Sequence, residues 1–376
     1  LKFFKMKRIP ITKPSISNLE INYVNDAITN GWGDKCYYYL NKFENEFSNY
    51  IGNKYSIATS SCTGAIHLSL LALGLKKGDE VIVPESTWIA SVEPILYIGA
   101  KPIFVDIEKK SWCIDPDKIK MSLTPKTKGI IAVHLYGNSC NMEEIMKIAK
   151  ENNLWVVEDT AEAIGSTFKE KKLGSYGNIG VFSFHGTKTM STGEGGILST
   201  NDINLFKKAT ILNDHGRDKE DPEHKIFWMR NYGYKYKMSN LQAAMGCAQL
   251  KRIDDLVKKK RLIFNWYYNQ LIEIGNLSMN HERSDSINSY WMPTLVLDDY
   301  FKIDRDELIK RLDDCGINSR PFFYPLSSLP MFESITKNKN SYKIGAKGIN
   351  LPSYYDMSEK DVIHICDTIK SILSKY

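Results

Sequence analysis

Short apolar runs alternate with stretches of helical periodicity over residues 55–160. Most positions within each run are apolar, which is the pattern of strands that are buried on both faces of a parallel sheet. The amphipathic stretches between them have the spacing of helices that cover such a sheet. We therefore predict an α/β domain with strands at YSIAT, EVIVP, KPIFVDI, KGIIAVHLYG and LWVVEDT and helices at 63–75, 92–97, 116–122 and 142–152.

The remaining periodicity extends the fold on both sides of this alternation. Helical patterns precede it at 16–30 and 40–51, and a strand, GGILST, follows it with a helix at 204–212. Ser239 is a good N-cap for apolar positions of period 3.6 that continue to about Ile274. A helix of this length commonly connects two domains. We predict a large domain over 1–250 and a smaller α+β domain over 251–376.

Composition and charge narrow the class of protein. The 376 residues are 43% hydrophobic and 25% charged, with a net charge of +6, as in ordinary water-soluble proteins. The single basic run, 258–261, lies in a helical pattern beside Asp254 and Asp255, which favours a solvated helix face over a nucleic-acid footprint. No apolar run approaches the ~18 residues of a membrane span. We expect neither nucleic acid nor a membrane as a partner.

The cysteines and the N-terminus favour a cytoplasmic protein. The seven cysteines are scattered and form no C-x-x-C pair, so we expect reduced thiols. The opening residues, LKFFKMKRIP, hold too short an apolar stretch for a secretory signal. Met6 could be the native start, with residues 1–5 added upstream of it.

Polar residues stand where the predicted strands end. Ligands of parallel sheets bind outside the carboxyl ends of the strands, so these segments are candidates for a site. They are 60–63, 85–88, 134–137 and 159–162, and Ser183 ends a further run. We expect an organic ligand there and no metal.

Lys188 is the first candidate for chemistry. It lies in FSFHGTKTMSTGEGG, a polar, glycine-containing segment between two apolar runs, from which it can point into a pocket. A desolvated lysine amine is partly neutral near pH 7, as a Schiff-base nucleophile must be. Taken alone, the residue is far better explained as an ordinary surface lysine.

The chain offers the three groups that pyridoxal phosphate requires: an amine for its aldehyde, a carboxylate for its ring nitrogen and donors for its phosphate. Lys188 is the amine, and Asp159, at the end of LWVVED, is the carboxylate, unless it is a helix N-cap before TAEA. Hydroxyls at Ser60, Ser61 and Thr63 precede a predicted helix whose positive end can hold a phosphate. Trp88 could stack on the ring or belong to the core.

These segments together resemble the DegT/DnrJ/EryC1/StrS family of sugar aminotransferases. The motifs that carry the resemblance, from about Ile11 to the end of the chain, are SSCTGAIHLSLLALGLKKGDEVIVPESTWIAS, KPIFVDI, VHLYG, VVEDTAEAIGS, FSFHGTKTMSTGEGG and YKMSNLQAA. The resemblance implies a fold-type-I enzyme, with a mostly parallel central sheet and a smaller C-terminal α+β domain, that uses pyridoxal phosphate on nucleotide-linked keto sugars. SFHGTKTMSTGEGG, NDHGR and YKYKMSN are most similar to the perosamine synthases and related nucleotide-sugar 4-aminotransferases, such as viosamine synthases.

The resemblance also implies roles for individual residues. Lys188 would form the Schiff base and shuttle a proton, and Asp159 would pair with the ring nitrogen. Glu162 would lie near the ring oxygen or the sugar, although a first-turn helix acid is the alternative. Asn240 would reach the phosphate of a neighbouring subunit, so a homodimer is expected. The other expected cofactor contacts are Ser61, Cys62 through its backbone, Thr63, Trp88 and Ser183.

Two positions depart from the pattern of many family members. Cys62 stands where many have glycine, which raises the question of a positive φ there. His185, three residues before Lys188, is either a contact to the sugar or nucleotide or a packed core histidine. Arg217, Arg320 and Tyr324 are candidates for the nucleotide diphosphate, with surface ion pairs as the alternative for the arginines.

The expected reaction moves the amino group of L-glutamate to the C4 ketone of a nucleotide-linked 4-keto-6-deoxyhexose, giving a perosamine- or viosamine-type sugar. A 3-keto sugar is an alternative substrate. A family dehydratase is a second alternative, but such members carry histidine where this chain has Lys188. A non-catalytic protein that binds pyridoxal phosphate is the third.

Overall fold

The computed structural model describes residues 8–218, 220, 221, 223, 225, 227–333 and 337–376. Met6 and the segment before it lie outside the described residues, so the expectation about the native start stays untested. Among the described residues, no helix combines the length and apolar character needed to cross a membrane.

The strands and helices follow the predicted alternation closely. The strands are β1 Tyr55–Thr59, β2 Glu80–Pro84, β3 Lys101–Val105, β4 Thr127–Val133, β5 Trp155–Asp159, β6 Thr167–Phe168, β7 Lys171–Lys172, β8 Ile179–Ser183, β9 Gly196–Thr200, β10 Leu277–Met279, β11 Ser286–Ile287, β12 Thr294–Leu297, β13 Arg320–Pro321 and β14 Gly348–Asn350. The helices are α1 Asn18–Asn30, α2 Tyr38–Ile51, α3 Cys62–Ala72, α4 Glu93–Tyr97, α5 Pro116–Met121, α6 Met142–Glu151, α7 Ile203–Asn213, α8 Asn240–Leu250, α9 Ile253–Leu271, α10 Arg305–Asp314, α11 Lys339–Lys347 and α12 Glu359–Leu373.

A seven-stranded sheet forms the centre, in the order β1-β9-β8-β5-β4-β2-β3. Only β9 runs antiparallel to its neighbours β1 and β8, and the other pairs are parallel. The predicted α/β fold with a mostly parallel sheet is confirmed. Six strands therefore end at one edge, and β9 begins there, because Gly196 pairs with both Thr59 and Ser183. This arrangement brings the predicted polar segments to one edge of the sheet.

The C-terminal part has a sheet of its own. Strands β10, β12, β14 and β13 pair antiparallel in that order, and a second core joins them to α9, α10 and α12. The N-terminal segment belongs to this core as well, since Ile9 donates to the carbonyl of Gly316 at 2.8 Å and accepts from Asn318 at 3.0 Å. The boundary near Lys251 stays a prediction.

The single helix predicted from Ser239 to Ile274 is wrong. The chain forms two helices, α8 and α9, with a break at Arg252, whose φ of −107° and ψ of 3° leave the helical region. The break has a physical cause: α8 buries small residues against α1 and α2, whereas α9 packs on α12, so one straight axis cannot serve both contacts. Arg252 holds the bend through Glu20 Oε1 at 2.7 Å and Ser15 Oγ at 2.8 Å.

The solvated face predicted for the basic run 258–261 is also wrong at one position. Lys258 is exposed, but Lys260 is buried between α9 and two loops of the C-terminal part. Its Nζ donates to the carbonyls of Trp291 at 3.1 Å and Ser353 at 2.7 Å and lies 3.1 Å from Ser353 Oγ. Burial without a nearby carboxylate lowers the pKa of Lys260 to about 7.

Lys260→Met should change how stability depends on pH. Above about pH 7 the folded wild type holds Lys260 neutral while the unfolded chain still binds its proton, so wild-type stability rises with pH by up to about 1.4 kcal/mol per unit relative to the variant. Denaturant unfolding of both proteins at about pH 7 and pH 9 measures this difference. Lys258→Met is the matched control, and its stability should change with pH as that of the wild type does. If the stability of Lys260→Met also changes with pH as that of the wild type does, the pKa of Lys260 is not lowered.

Candidate active site

Lys188 lies in the loop that joins β8 to β9. The loop folds back on itself, with Phe184 N–H donating to Gly195 at 2.9 Å and Lys188 N–H donating to His185 at 2.9 Å. The Lys188 side chain is only 14% exposed. Its Nζ lies 3.2 Å from Glu162 Oε1 and 4.0 Å from the centre of the Trp291 ring. The amine thus points inward, and the interpretation as an ordinary surface lysine is wrong.

Glu162 is the carboxylate partner of that amine. It is buried, and its other oxygen, Oε2, accepts the Tyr136 backbone N–H at 3.0 Å. Burial raises the pKa of Glu162, and the Lys188 ammonium opposes the rise. Residues 160–166 form turns and no helix, so the alternative of a first-turn helix acid is wrong.

Asp159 is the last residue of β5 and is buried. Its Oδ2 accepts from Ser91 Oγ at 2.7 Å, and its Oδ1 accepts from Ala161 N–H at 3.0 Å. Because turns follow it, the alternative role as a helix N-cap is wrong. Its carboxylate is held by neutral donors, unlike that of Glu162.

The residues expected to cradle the phosphate lie at the start of α3. Ser61 is the N-cap, and its hydroxyl accepts from Gly64 N–H at 3.1 Å, so that hydroxyl is engaged within the chain. Cys62 begins the helix without a positive φ, which answers the question raised by its departure from glycine. Burial raises the pKa of the Cys62 thiol well above its usual value, with Asp159 adding to the rise and Lys188 opposing it. Thr63 follows in the first helical turn, partly buried.

Two features connect this cradle with the lysine loop. Ser183 ends β8, and its hydroxyl accepts from His185 N–H at 3.4 Å. Gly196 passes the start of α3 so closely that a Cβ there would lie 2.4 Å from the Cys62 nitrogen. Glycine is therefore required at the end of TGEGG for β9 to leave the loop beside α3.

Trp88 is exposed to solvent, whereas Asn240 is hydrogen-bonded within its own chain. Trp88 is 59% exposed beyond the end of β2, with its ring 6.1 Å from that of Phe323, so it is not a core residue. Asn240, the first residue of α8, accepts from Tyr39 N–H at 2.9 Å and donates to the Gly31 carbonyl at 3.2 Å. Both bonds are within its own chain, and the expected contact with a neighbouring subunit stays a prediction.

The expected substrate contacts lie in exposed surroundings. His185 is 48% exposed, with Nδ1 2.9 Å from Thr187 Oγ1 and Nε2 3.5 Å from Glu194, so it is not a packed core histidine. Arg217 forms the ion pair considered as its alternative, 3.6 Å from Asp214. Arg320 is exposed in β13, and the Tyr324 hydroxyl accepts from Arg305 at 3.1 Å. These roles stay predictions.

Trp291 and Ser91 were missed by the sequence reasoning. The Trp291 ring faces the Lys188 amine, and its Nε1–H donates to the Thr187 carbonyl at 2.8 Å. No periodic signal marks Trp291, because it comes from the C-terminal part of the chain. Ser91 could have been found, since it lies three residues after Trp88, which ends the segment already identified at the end of β2.

The comparisons with known proteins agree with this geometry. Residues 14–370 match the DegT/DnrJ/EryC1/StrS aminotransferase family. The chain belongs to that family. GDP-perosamine synthases from Escherichia coli O157:H7 and Vibrio cholerae are 41% and 38% identical to it, over 98% and 96% of this chain and 100% and 98% of those proteins. A candidate sugar aminotransferase from Streptococcus pneumoniae, in its PMP form, has a TM-score of 0.91 at 27% identity over 98% of each chain.

The predicted aminotransferase class and its cofactor, pyridoxal phosphate, are thereby confirmed, and the S. pneumoniae protein is also known in a PLP form. The donor set at the sheet edge fits the cofactor: an inward amine at Lys188, a buried carboxylate at Asp159 and an open helix start at Cys62. No group of side chains with the make-up of a metal site was found among the described residues.

Glu162→Gln should change how the stability of the apoenzyme depends on pH. Burial raises the pKa of Glu162 above its usual value of 4.5, so above that pH the folded chain holds a proton that the unfolded chain has lost. Wild-type stability should therefore fall relative to the variant as pH rises from 4.5 through the raised pKa, as measured by denaturant unfolding at several pH values. The control Glu194→Gln changes an exposed carboxylate of the Lys188 loop, and its stability should change with pH as that of the wild type does. The same pH dependence in all three proteins would mean that the pKa of Glu162 is not raised.

Proposed function

We propose that the enzyme transfers the amino group of L-glutamate to the C4 ketone of a GDP-linked 4-keto-6-deoxyhexose, giving a perosamine-type sugar for glycan synthesis. The observation that carries the proposal is the inward Lys188 amine beside Glu162, at the same sheet edge as Asp159. The choice of GDP and of C4 is supported by the names of the relatives from E. coli and V. cholerae and by their near full-length match.

The cofactor supplies an electron sink when it is bound. Lys188 would hold its aldehyde carbon and afterwards move a proton between the reacting carbon and the cofactor. Asp159 would keep the proton on the ring nitrogen, and Thr63 and Ser183, with the backbone at the start of α3, would hold the phosphate. Glu162, buried next to Lys188, would accept or return the proton that the amine gives up, because burial already raises its pKa.

We further propose that the working unit is a homodimer with shared active sites. Large apolar side chains from α1 to the start of α2, among them Ile28, Trp32 and Tyr38, are exposed on this chain. Asn240 contacts the same stretch of chain through its hydrogen bonds to Tyr39 and Gly31. A second copy covering them would remove this apolar surface from water and bring Asn240 near the partner's phosphate cradle.

A cytoplasmic location is part of the proposal. All seven cysteines are free thiols in the structure, and Cys113, Cys140, Cys247 and Cys366 are buried in the core. Reduced thiols are typical of proteins in the cytoplasm, where glutathione and thioredoxin keep them so.

The substrate is tested by supplying L-glutamate with GDP-, UDP- and dTDP-linked 4-keto-6-deoxyhexoses and a 3-keto isomer. We expect 2-oxoglutarate and a 4-amino sugar in equal amounts, fastest with the GDP substrate, identified by mass spectrometry and NMR. Lys188→Ala should lose this activity by several orders of magnitude, whereas the control Lys169→Ala, an exposed lysine paired with Glu143, should keep it. A 3-amino product or a deoxygenated sugar would contradict the proposal.

Shared sites are tested by mixing two variants, Lys188→Ala and Asn240→Ala, each of which we expect to be inactive alone. If Asn240 serves the neighbouring subunit, each mixed dimer holds one site with both native residues, and random mixing restores about a quarter of wild-type activity. If Asn240 acts only within its own chain, both sites of the mixed dimer lack one residue and no activity returns. Size-exclusion chromatography verifies that each variant still assembles.

A further inference from the structure

Neutral donors from two separate segments hold the Asp159 carboxylate. Ser91, in the turn that follows β2, lies 2.7 Å from Oδ2, and Ala161 N–H, in the turn that follows β5, lies 3.0 Å from Oδ1. Ser91 and Asp159 are both buried, so water competes little for the bond between them. The carboxylate is thus fixed in its orientation by parts of the chain that are distant in sequence.

The chemistry of the groups sets the direction of these bonds. An ionised carboxylate only accepts, so the Ser91 hydroxyl donates to Asp159. Thr87 Oγ1 lies 2.9 Å from Ser91 Oγ, and since the Ser91 proton is already engaged, the Thr87 hydroxyl donates to Ser91. The result is a buried row of two hydroxyls that ends on the carboxylate, in which each bond strengthens the next.

We propose that Ser91 is a positioning residue, which with support from Thr87 fixes the Asp159 carboxylate opposite the ring nitrogen of the cofactor. The inference rests on the proposed role of Asp159. A hydroxyl that donates to a carboxylate stabilises its charged form. The proton between carboxylate and ring therefore stays on the ring nitrogen, where electron withdrawal requires it.

Removal of the Ser91 hydroxyl has a defined consequence. The Asp159 carboxylate would remain buried and would lose the hydrogen bond that sets its orientation. It would then hold the protonated ring nitrogen less firmly, which weakens the electron sink. Binding of the sugar nucleotide, which does not involve Ser91 in this arrangement, should change little.

The direct test is the ¹⁵N NMR signal of the cofactor ring in holoenzyme loaded with ¹⁵N-labelled pyridoxal phosphate. In Ser91→Ala we expect this signal to shift from the protonated toward the unprotonated position, while Ser91→Thr, which keeps the hydroxyl, stays near wild type. The rate at which L-glutamate bleaches the visible band of the cofactor should fall about tenfold in Ser91→Ala, with little change in KM for the sugar nucleotide.

Two further variants make the outcome decisive. Ser86→Ala removes a buried hydroxyl from the same segment, one that has no hydrogen-bond partner among the described residues, and it should leave the ring signal in place. Asp159→Asn should move the signal fully. If Asp159→Asn leaves it unchanged, the proposed role of Asp159 is wrong. If Asp159→Asn moves the ¹⁵N signal and Ser91→Ala does not, the positioning role of Ser91 is overturned. The same holds if Ser86→Ala moves the signal as far as Ser91→Ala does. Thermal melts of each holoenzyme verify folding.

Discussion

The Lys188 ammonium and the Glu162 carboxylate, 3.2 Å apart, join the loops that leave the neighbouring strands β8 and β5. Both side chains are largely shielded from water, and each alone would carry a large desolvation cost. The pair therefore ties two loops to one geometry. The Tyr136 N–H, which binds the second oxygen of Glu162, adds the loop after β4, so three consecutive strands of the sheet contribute to one charged centre.

Aromatic side chains extend this centre toward the C-terminal part of the chain. The rings of Trp291 and Tyr136 stack at 6.0 Å, and those of Tyr136 and Phe323 stack at 5.4 Å. Tyr136 is fully buried, and its hydroxyl accepts from Phe323 N–H and Asn350. Tyr136, at the edge of the central sheet, thus contacts both Trp291, which faces Lys188, and the sheet of the C-terminal part. A change in the packing of the C-terminal part would reach Lys188 through Trp291.

The sequence allowed Lys188 and Asp159 to be predicted because strand ends of a parallel sheet meet at one edge, and each residue follows a clear apolar run. The same reasoning placed the start of α3 and the turn at Trp88 at this edge, and both segments lie there. The reasoning failed where contacts between distant parts of the chain determine the local structure. The periodicity through 239–274 does not show that α8 and α9 pack on different partners, and three adjacent lysines, 258–260, do not reveal which one points inward.

Trp291 could not be predicted for a related reason: it reaches Lys188 from another sheet, and contacts of that kind leave no pattern within a short window. Ser91 was within reach of the sequence, but a serine beside an apolar turn is ordinary without the position of Asp159. The resemblance to the family supplied the functional roles of the site residues. The local sequence pattern showed only that their side chains would meet at one edge of the sheet.

The two carboxylates of the site differ in what surrounds them, and this difference separates their chemistry. Asp159 is held by a hydroxyl and an N–H, so its partners stay in place when charge in the site changes. Glu162 depends on Lys188, and its pKa is already raised by burial. The Lys188 ammonium opposes this rise, so protonation of Glu162 is more favourable when the amine is neutral. One carboxylate is therefore held in place by neutral donors, and the other is placed to exchange a proton with the lysine beside it.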